Sequence, residues 1–507
     1  MPGHKGRKAF SGNVTIATAG HEGSVPRALI PGSVEWAETL LDEIRALDLT
    51  EAPGMDNLHY PTGCIREAER RAEALFGSER SHFLVNGATS GIQAALLAVR
   101  MVLGGGTVLL PRNVHKSLVS ALAFSGLEPV FAWPEYSAQF SVYMPLDWER
   151  LKASLDEIER RGDPMPKAVF LINPTYSGFS RDISMIAKEV HARGMMLVVD
   201  EAHGPHFAIG RGLPRTALRQ GADLVIHGMH KTTVAYTQTA MLHIGAGAGS
   251  RFPGLHEAVE EALRAVQTTS PSYILMASIE QAIDMLDRDG GRWVNRGTEM
   301  ALELARRLSA IPGLVVAGYG KHAAESNDIE HDPSKLMVIL EGLSVSGPQA
   351  ARFLIEECNI VPEMSGPKYL LMLISGAHGP EDVDAIEKAF RTLAERFPAR
   401  QTAPGEELED EVALLTGRMP RPERVMPLRD AFLSVARAVP VEEAAGKISA
   451  DTIVIYPPGS PLLTPGERID PDVVEYIVSA RKAGLNVLGR GIRGGEGEMR
   501  VYCVESS

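Results

Sequence analysis

The stretch MMLVVDEAHG, at residues 195–204, decides how this chain of 507 residues folds. Five apolar residues, Met195–Val199, fit a buried strand, and the strand runs directly into Asp200. A carboxylate at such a place needs a partner that compensates its desolvation, so it is typical of a helix cap or of a functional group. We therefore expect chemistry at the end of this strand.

Further strands of the same kind flank this stretch, and helical patterns lie between most of them. Trp148–Arg160 and Ile183–Ala192, for example, have the apolar spacing of amphipathic helices. Repeated strand–helix units predict an α/β fold with a mainly parallel sheet that helices cover on both faces. The strands are predicted at His82–Val85, Thr107–Leu110, Pro129–Trp133, Lys167–Ile172, Met195–Val199, Asp223–Ile226 and Ala240–Ile244.

Shifts in composition predict where one unit of the chain ends and the next begins. Residues 1–60 are rich in Gly and Pro, which is typical of an arm rather than a domain. The polar stretch PARQTAPGEELED, at 398–410, is typical of a linker. We expect a large domain at 61–291, a smaller α/β domain at 292–397 and a C-terminal α+β domain at 411–507.

Composition narrows the class of function. The 64 Asp+Glu outnumber the 51 Lys+Arg, and a net charge of −13 disfavours nucleic acid as the main partner. No apolar run approaches the roughly 18 residues that a membrane span needs. The three cysteines, Cys64, Cys358 and Cys503, lie far apart and form no Cys-x-x-Cys pair. We expect a soluble cytoplasmic enzyme.

Four of the predicted strand ends carry polar and reactive residues. Ligands of open α/β sheets bind outside the carboxyl ends of the strands, so these stretches are candidates for one site. They are Asn86–Gly91 (NGATSG), Asn173–Gly178 (NPTYSG), Asp200–Gly204 (DEAHG) and His227–Thr232 (HGMHKT).

Each candidate residue also has an ordinary structural interpretation. Ala88, Thr89 and Ser90 lie in a small-residue turn that leads into a predicted helix, Ile92–Val102, and the free N–H groups at its start either cradle a phosphate or only form a cap. Lys231 follows a strand, where partial burial lowers the pKa of a lysine and favours Schiff bases, although an isolated lysine is usually a surface residue. The ring of His115 either stacks on a planar cofactor or has a structural role, as a helix cap or in the core.

Two His-x-x-His spacings, His203/His206 and His227/His230, raise the question of a metal site. No glutamate stands between the histidines of either pair, and loops rather than one helix face are predicted to hold them. We expect no metal.

Taken together, these motifs closely resemble the Orn/Lys/Arg decarboxylase family, a branch of the fold-type-I pyridoxal-phosphate (PLP) enzymes. The resemblance runs from residue 1 to about 500, in order and with family-like spacing. Further matching stretches are Pro2–Gly6 (PGHKG), Arg112–Ser117 (RNVHKS), His230–Lys231 with Thr237–Gln238, Thr268–Tyr273 (TTSPSY), Tyr456–Pro461 (YPPGSP) and Pro465–Glu467 (PGE). Without the receiver-like N-terminal domain of the acid-induced members, the chain resembles the short biosynthetic type, among which arginine decarboxylases are common.

The resemblance implies that the cofactor is PLP and assigns roles to individual residues. Lys231 would form the Schiff base with PLP, Asp200 would pair with the pyridine nitrogen, and His115 would stack on the ring. The cofactor-binding set would also include Ala88, Thr89, Ser90, Thr175, His203 and His230.

The implied activity is decarboxylation of a basic amino acid, with arginine favoured over lysine and ornithine, to an amine that feeds polyamine synthesis. Another fold-type-I reaction, that of an aminotransferase or a lyase, is one alternative. Aminotransferases of this fold usually grip the substrate carboxylate with an arginine late in the small domain, whereas residues 369–375 (YLLMLIS) contain none. A non-catalytic binding protein on the same fold is the other alternative.

The resemblance also bears on assembly and on two departures from the family pattern. It implies a homodimer or higher homo-oligomer in which Thr269 and Ser270 approach the partner's cofactor. The alternative is that the Thr-Thr-Ser stretch caps the helix after Pro271. Gly228 stands where the family usually has serine, and Ala88 where threonine is common, so both positions would lack a hydroxyl near the phosphate.

Overall fold

The computed structural model describes most of the chain that follows the expected arm. The described residues are 48–49, 54–289, 291–319, 328–398, 419–456, 459–492 and 498–505. Most of the arm with its PGHKG motif, residues 399–410 of the expected linker, and Pro457 and Pro458 lie outside this set.

A seven-stranded sheet forms the centre of the structure, and its strands are the seven that the sequence predicts, with shifted ends. The sheet order is β1-β10-β9-β8-β6-β2-β3; the pairings from β9 to β3 are parallel, and β10 and β1 add an antiparallel edge. The strands of this region are β1 (Ser78–Leu84), β2 (Thr107–Pro111), β3 (Glu128–Ala132), β4 (Tyr136–Ser137), β5 (Val142–Tyr143), β6 (Ala168–Ile172), β7 (Phe179–Arg181), β8 (Met196–Asp200), β9 (Leu224–His227) and β10 (Ala240–Gly245).

Helices cover both faces of this sheet, as expected. Val169 and Leu171 of β6 pack into the core on one face, while Ala168 and Phe170 pack into the core on the other, because successive strand side chains alternate. The helices of this region are α1 (Cys64–Phe76), α2 (Gly87–Leu103), α3 (Ser117–Ser125), α4 (Trp148–Arg161), α5 (Ser184–Ala192), α6 (Met229–Thr232), α7 (Ala248–Arg251), α8 (Leu255–Val266) and α9 (Tyr273–Arg288), with 3₁₀ turns at Pro205–Ala208 and Ala217–Gln220.

The start of α9 tests one interpretation of the Thr-Thr-Ser stretch, that of a helix cap. The N-cap residue is Ser272, whose side chain accepts a hydrogen bond from the Leu275 N–H. Thr269 and Ser270 lie further upstream and are exposed. The alternative that they cap this helix is therefore wrong, since a serine nearer to the first turn takes the N-cap position.

A second region packs a four-stranded sheet of order β11-β13-β15-β14 against helices around a core of its own. A fifth strand of this region, β12, lies outside that sheet and instead pairs with β7 of the large region. The elements are α10 (Arg292–Leu308), β11 (Val315–Val316), β12 (Ile329–His331), β13 (Lys335–Ile339), α11 (Gly347–Cys358), β14 (Met364–Ser365), β15 (Tyr369–Leu373) and α12 (Pro380–Arg396).

The C-terminal region is a small α+β unit with its own core. A buried ion pair joins it to the large region: Arg112 donates to both carboxylate oxygens of Glu467, at 2.5 and 2.9 Å. Its elements are α13 (Leu428–Leu433), β16 (Ala436–Pro440), a 3₁₀ turn at Val441–Glu443, β17 (Ile453–Tyr456), β18 (Ser460–Leu463), α14 (Pro471–Lys482), β19 (Asn486–Leu488) and β20 (Arg500–Val504).

The separate cores of the small and C-terminal regions support a division into three domains. The exact boundaries of the domains stay a prediction. Across the described ranges, no helix is both long and apolar enough to cross a bilayer.

Candidate active site

A cavity of about 240 Å³ opens where strands β6, β8 and β9 end. Of the nine residues predicted for the site, eight line it: Ala88, Thr89, His115, Thr175, Asp200, His203, His230 and Lys231. The ninth, Ser90, is buried in the first turn of α2, where its hydroxyl donates to the Gly87 carbonyl at 2.8 Å and does not line the cavity.

Asp200 is the last residue of β8, and its carboxyl group is buried at the edge of the cavity. The Ala202 N–H donates to its Oδ1 at 3.0 Å. Burial raises the pKa of Asp200, and both the Lys231 ammonium and the Ala202 hydrogen bond oppose that rise. A carboxylate held in this way is poised to pair with a cationic group in the cavity.

Lys231 lies on the short helix α6, directly after β9. Burial lowers its pKa, while the negative charges of Asp200 and Glu363 raise it. The result is an amine that loses its proton more readily than a surface lysine, which is the property a nucleophilic lysine needs.

Gly228 occupies the turn that delivers Lys231 to the cavity. A Cβ at this position would lie 2.8 Å from the Ala202 carbonyl oxygen and 3.2 Å from Lys231 Cδ. Any side chain here would therefore require the turn to shift, so the packing explains why glycine replaces the serine that the resemblance leads one to expect.

Two histidines flank the lysine and differ in what they bind. His203 Nε2 lies 2.9 Å from Lys231 Nζ, and its ring is buried. Burial and the charges of Lys231 and Lys335 hold the pKa of His203 well below its usual value, so the ring is neutral. His230 Nδ1 donates instead to the Thr239 carbonyl at 2.9 Å, which fixes its tautomer.

The N-terminus of α2 faces the same cavity. Asn86 is its N-cap residue and makes no side-chain cap hydrogen bond, so the first N–H groups of the helix are not capped by it. Gly87, at φ +76°, takes a conformation that favours glycine. Together with Ala88 and the exposed Thr89, this turn offers N–H groups and one hydroxyl to an anion.

His115 and Thr175 complete the predicted set. His115 lies on the cavity wall with Nδ1 2.8 Å from Ser117 Oγ. Desolvation of the ring and the charges of Lys231 and Lys116 lower its pKa to about 4. The Thr175 hydroxyl accepts from the Phe179 N–H at 3.1 Å, so it also shapes the turn before β7.

The His-x-x-His pairs do not converge. In each pair one histidine, His203 or His230, lines the cavity, while the other belongs to the core. Core His227 lies 2.8 Å from Glu201, and core His206 lies 3.1 Å from Asp332. Among the described residues, no cluster of three potential metal ligands occurs.

Sequence reasoning missed a group of residues that reach the cavity region from outside the seven-stranded sheet. Lys335 Nζ lies 2.6 Å from His203 Nδ1, and the Tyr176 hydroxyl donates to Glu363 at 2.8 Å. The Tyr456 hydroxyl, from the C-terminal region, donates to that of Tyr176 at 3.2 Å. Tyr176 and Tyr456 stand inside quoted motifs, but no local pattern marks Lys335 or Glu363.

The order of the central sheet, with a lysine amine, a buried carboxylate and a helix N-terminus around one cavity at its strand ends, defines a fold-type-I α/β enzyme. The major-domain profile of the Orn/Lys/Arg decarboxylases matches residues 7–321, and their C-terminal-domain profile matches residues 418–491. The chain belongs to the Orn/Lys/Arg decarboxylase family.

Individual relatives agree with this assignment. The chain is 33% identical to an arginine decarboxylase of Bacillus anthracis, covering 90% of this chain and 88% of that protein. It is 31% identical to an arginine decarboxylase of Bacillus subtilis, covering 90% and 89%. The fold is similar to that of lysine decarboxylase A from Pseudomonas aeruginosa, with a TM-score of 0.74 and 21% identity over 90% of this chain and 74% of that chain. The chain is thus an amino acid decarboxylase.

Proposed function

We propose that the protein is a PLP-dependent decarboxylase of basic amino acids, with arginine as its main substrate. The observation that carries the proposal is the convergence of Lys231, Asp200 and His115 on one cavity beside an uncapped helix N-terminus. These groups fit PLP: an amine for its aldehyde, a carboxylate for its ring nitrogen, a flat ring for its face and N–H groups for its phosphate.

When bound, PLP supplies an electron sink for the electron pair that remains on the α carbon as CO₂ leaves. Asp200 holds a proton on the ring nitrogen, because the charge of its carboxylate favours the cationic ring. Lys231 binds the cofactor through Nζ, with the pKa of its amine lowered by burial. His115 orients the ring from the cavity wall.

The region around the substrate favours loss of the carboxyl group over its retention. Residues 369–375, which include β15, contain no arginine to hold a substrate carboxylate bidentately. Tyr369 lines the cavity from this strand as a buried aromatic residue. A carboxylate without a fixed cationic partner disperses its charge more easily as CO₂ forms.

We assign the basic end of the substrate to the side of the site where Glu363 lies. Glu363 accepts a hydrogen bond from Tyr176, which lines the cavity, and Tyr456 adds a second hydroxyl. A carboxylate is the natural partner of a guanidinium group, since the two match bidentately. The arginine decarboxylases at 31–33% identity favour arginine over lysine and ornithine.

The proposal also covers the metabolic role of the product, the cellular compartment and the oligomeric state. The amine product would feed polyamine synthesis. The three cysteines, all unpaired, agree with a reducing compartment such as the cytoplasm. The exposed Thr269–Ser270 stretch supports a homodimer whose subunits complete each other's sites; light scattering across a dilution series, with activity in parallel, tests this, and a fully active monomer would contradict it.

Product analysis tests the central proposal. The protein, reconstituted with PLP, is offered arginine, lysine and ornithine separately, and CO₂ and amines are quantified. We expect agmatine from arginine at the highest kcat/KM. A keto acid product would instead indicate transamination, and cadaverine or putrescine as the main amine would move the assignment to lysine or ornithine.

A further inference from the structure

Lys335 is a second lysine beside Lys231, and none of the residues assigned to the reaction explains it. It is the first residue of β13, and its side chain is fully buried. Its stem packs on Gly178 (φ +95°), where an added Cβ would lie 2.6 Å from Lys335 Cβ. Glycine at 178 is thus what allows this lysine to reach inward, and Lys335 does not line the cavity itself.

One imidazole ring joins the two lysines. Lys231 Nζ lies 2.9 Å from His203 Nε2, and Lys335 Nζ lies 2.6 Å from His203 Nδ1. The neutral ring has one N–H and one lone pair, so it donates to one amine and accepts from the other. When Lys231 is the ammonium, Lys335 must therefore be the free amine. When Lys335 is the ammonium, Lys231 must be the free amine.

The surroundings of Lys335 bring its ammonium and its neutral amine close to equal stability near neutral pH. Burial and the charge of Lys231 lower the pKa of Lys335, Glu363 and Asp332 oppose this, and the net result is a pKa of about 8. The Tyr176 ring, with its centroid 4.9 Å from Nζ, favours the ammonium. His331, the remaining neighbour on this side, donates from Nε2 to the Ser177 carbonyl at 3.1 Å.

We propose that Lys335 is a positioning residue that takes up, through His203, the proton that Lys231 must release to act as a nucleophile. The Lys231 ammonium gives a proton to His203 Nε2, and His203 Nδ1–H gives its proton to the Lys335 amine. The ring changes tautomer and stays neutral, one positive charge moves from Lys231 to Lys335, and no proton exchanges with solvent. Reversal returns the proton to Lys231.

This inference rests on the proposed role of Lys231, and the experiment separates the two. The readout is the pH dependence of Lys231 acylation by an amine-directed reagent in the cofactor-free protein, followed by peptide mass spectrometry. Because the two lysines share a proton, labelling in the wild type should rise in two steps. Borohydride trapping of PLP on Lys231, mapped in parallel, reports on the proposed function alone.

Two substitutions shift the labelling in opposite directions. Lys335→Met removes both the charge and the proton acceptor, so we expect a single step with its midpoint raised by about one pH unit or more. Lys335→Arg keeps the charge but cannot become neutral, so His203 must donate to Lys231 and the midpoint should fall. Lys388→Met, at an exposed position of α12, serves as the matched control and should retain the wild-type profile.

Three outcomes would overturn the proposal: a single step in the wild type, midpoints that move in the same direction in both variants, or midpoints that do not move. The first outcome is measured on the wild type, so it does not depend on whether the variants fold. If PLP is trapped on another lysine, the proposed function fails instead, whatever the titration shows.

Discussion

The residues that line the cavity and those that support them from behind form two halves, which differ in how the chain builds them. The sheet half, Asp200, Lys231 and His115, comes from residues at the ends of strands of one sheet or within a few residues after them. The outer half, Lys335, Glu363 and Tyr456, brings single residues from the small and C-terminal regions. A scaffold of adjacent parallel strands fixes reacting groups, while residues added from elsewhere can vary with the substrate. We therefore expect the sheet half, with Lys335 as its proton acceptor, to control the chemistry, and Glu363 and Tyr456 of the outer half to control the substrate.

Lys231→Ala should have the largest effect, because it removes the amine that holds the cofactor. We expect the visible band of the bound cofactor to disappear and kcat/KM to fall at least about 10³-fold. Absorption spectra and steady-state rates measure this, with Lys188→Ala on exposed α5 as the control. A borohydride-stable adduct that persists in the Lys231 variant would assign the cofactor to another lysine.

Asp200→Asn keeps the shape of the carboxyl group and removes its charge. We expect kcat to fall about 10²- to 10³-fold while the fold persists, since the cationic ring loses about 3–4 kcal/mol of electrostatic support. Circular dichroism and kcat, compared with exposed Asp156→Asn, provide the measurement. A variant with nearly normal kcat would show that the sheet half does not work through this carboxylate.

Glu363→Gln tests the role of the outer half. We expect KM for arginine to rise about 10- to 100-fold, as for the loss of a charged hydrogen-bond partner, with kcat within a few-fold of wild type. Exposed Glu356→Gln on α11 is the matched control. If kcat and kcat/KM instead fell equally, Glu363 would belong with the chemistry and the division into halves would be wrong.

A buried histidine on the edge strand β1, outside both halves, predicts a pH-dependent stability. Burial, aided by Arg80, lowers the pKa of His82 to about 3, so below pH 6.5 the unfolded chain binds a proton that the folded chain refuses. Stability is fully present above pH 6.5 and falls toward pH 3, by up to about 1.4 kcal/mol per pH unit for this group. Urea unfolding at pH 7.5 and pH 5 should show a smaller loss in His82→Phe than in the wild type or in half-exposed His59→Phe.

Tyr456→Phe should have the smallest effect, since it removes one hydroxyl from the outer half. The hydrogen bond from Tyr456 to Tyr176, 3.2 Å long, is neutral, so kcat/KM should fall about 2- to 10-fold. Steady-state kinetics with arginine and lysine, beside Tyr502→Phe on β20, measure it. A loss as large as that of Asp200→Asn would contradict the comparison.

The two halves also explain how far the sequence was informative. Apolar runs that end in polar residues predicted all seven strands of the central sheet and thereby the neighbourhood of Asp200 and Lys231. Strand β1 begins earlier than expected, because its first residues, Ser78–Arg80, are polar and are held by pairing with β10 rather than by burial. The sequence indicated the site here because local pattern and tertiary position coincide.

In the outer half this coincidence fails. Lys335 begins an apolar strand, where a lysine is normally solvated, and only the approach of Gly178 shows that it turns inward. Glu363 stands in a loop without a motif. Strand β15 and helix α12 were not predicted either, although Tyr369–Leu373 is an apolar run and Pro380 begins the helix.

The short ladder between β7 and β12 has a consequence for how substrate enters. Three residue pairs, Phe179 with His331, Ser180 with Glu330 and Arg181 with Ile329, join the large and small regions next to the cavity, and the Asp332 N–H adds a bond to the Gly178 carbonyl. A swing of the small region about a hinge would have to break these bonds. The ladder thus fixes the small region to the large region beside the site. We therefore expect substrate to enter through an opening that is present without domain movement. Solution scattering profiles recorded with and without a bound inhibitor should superpose.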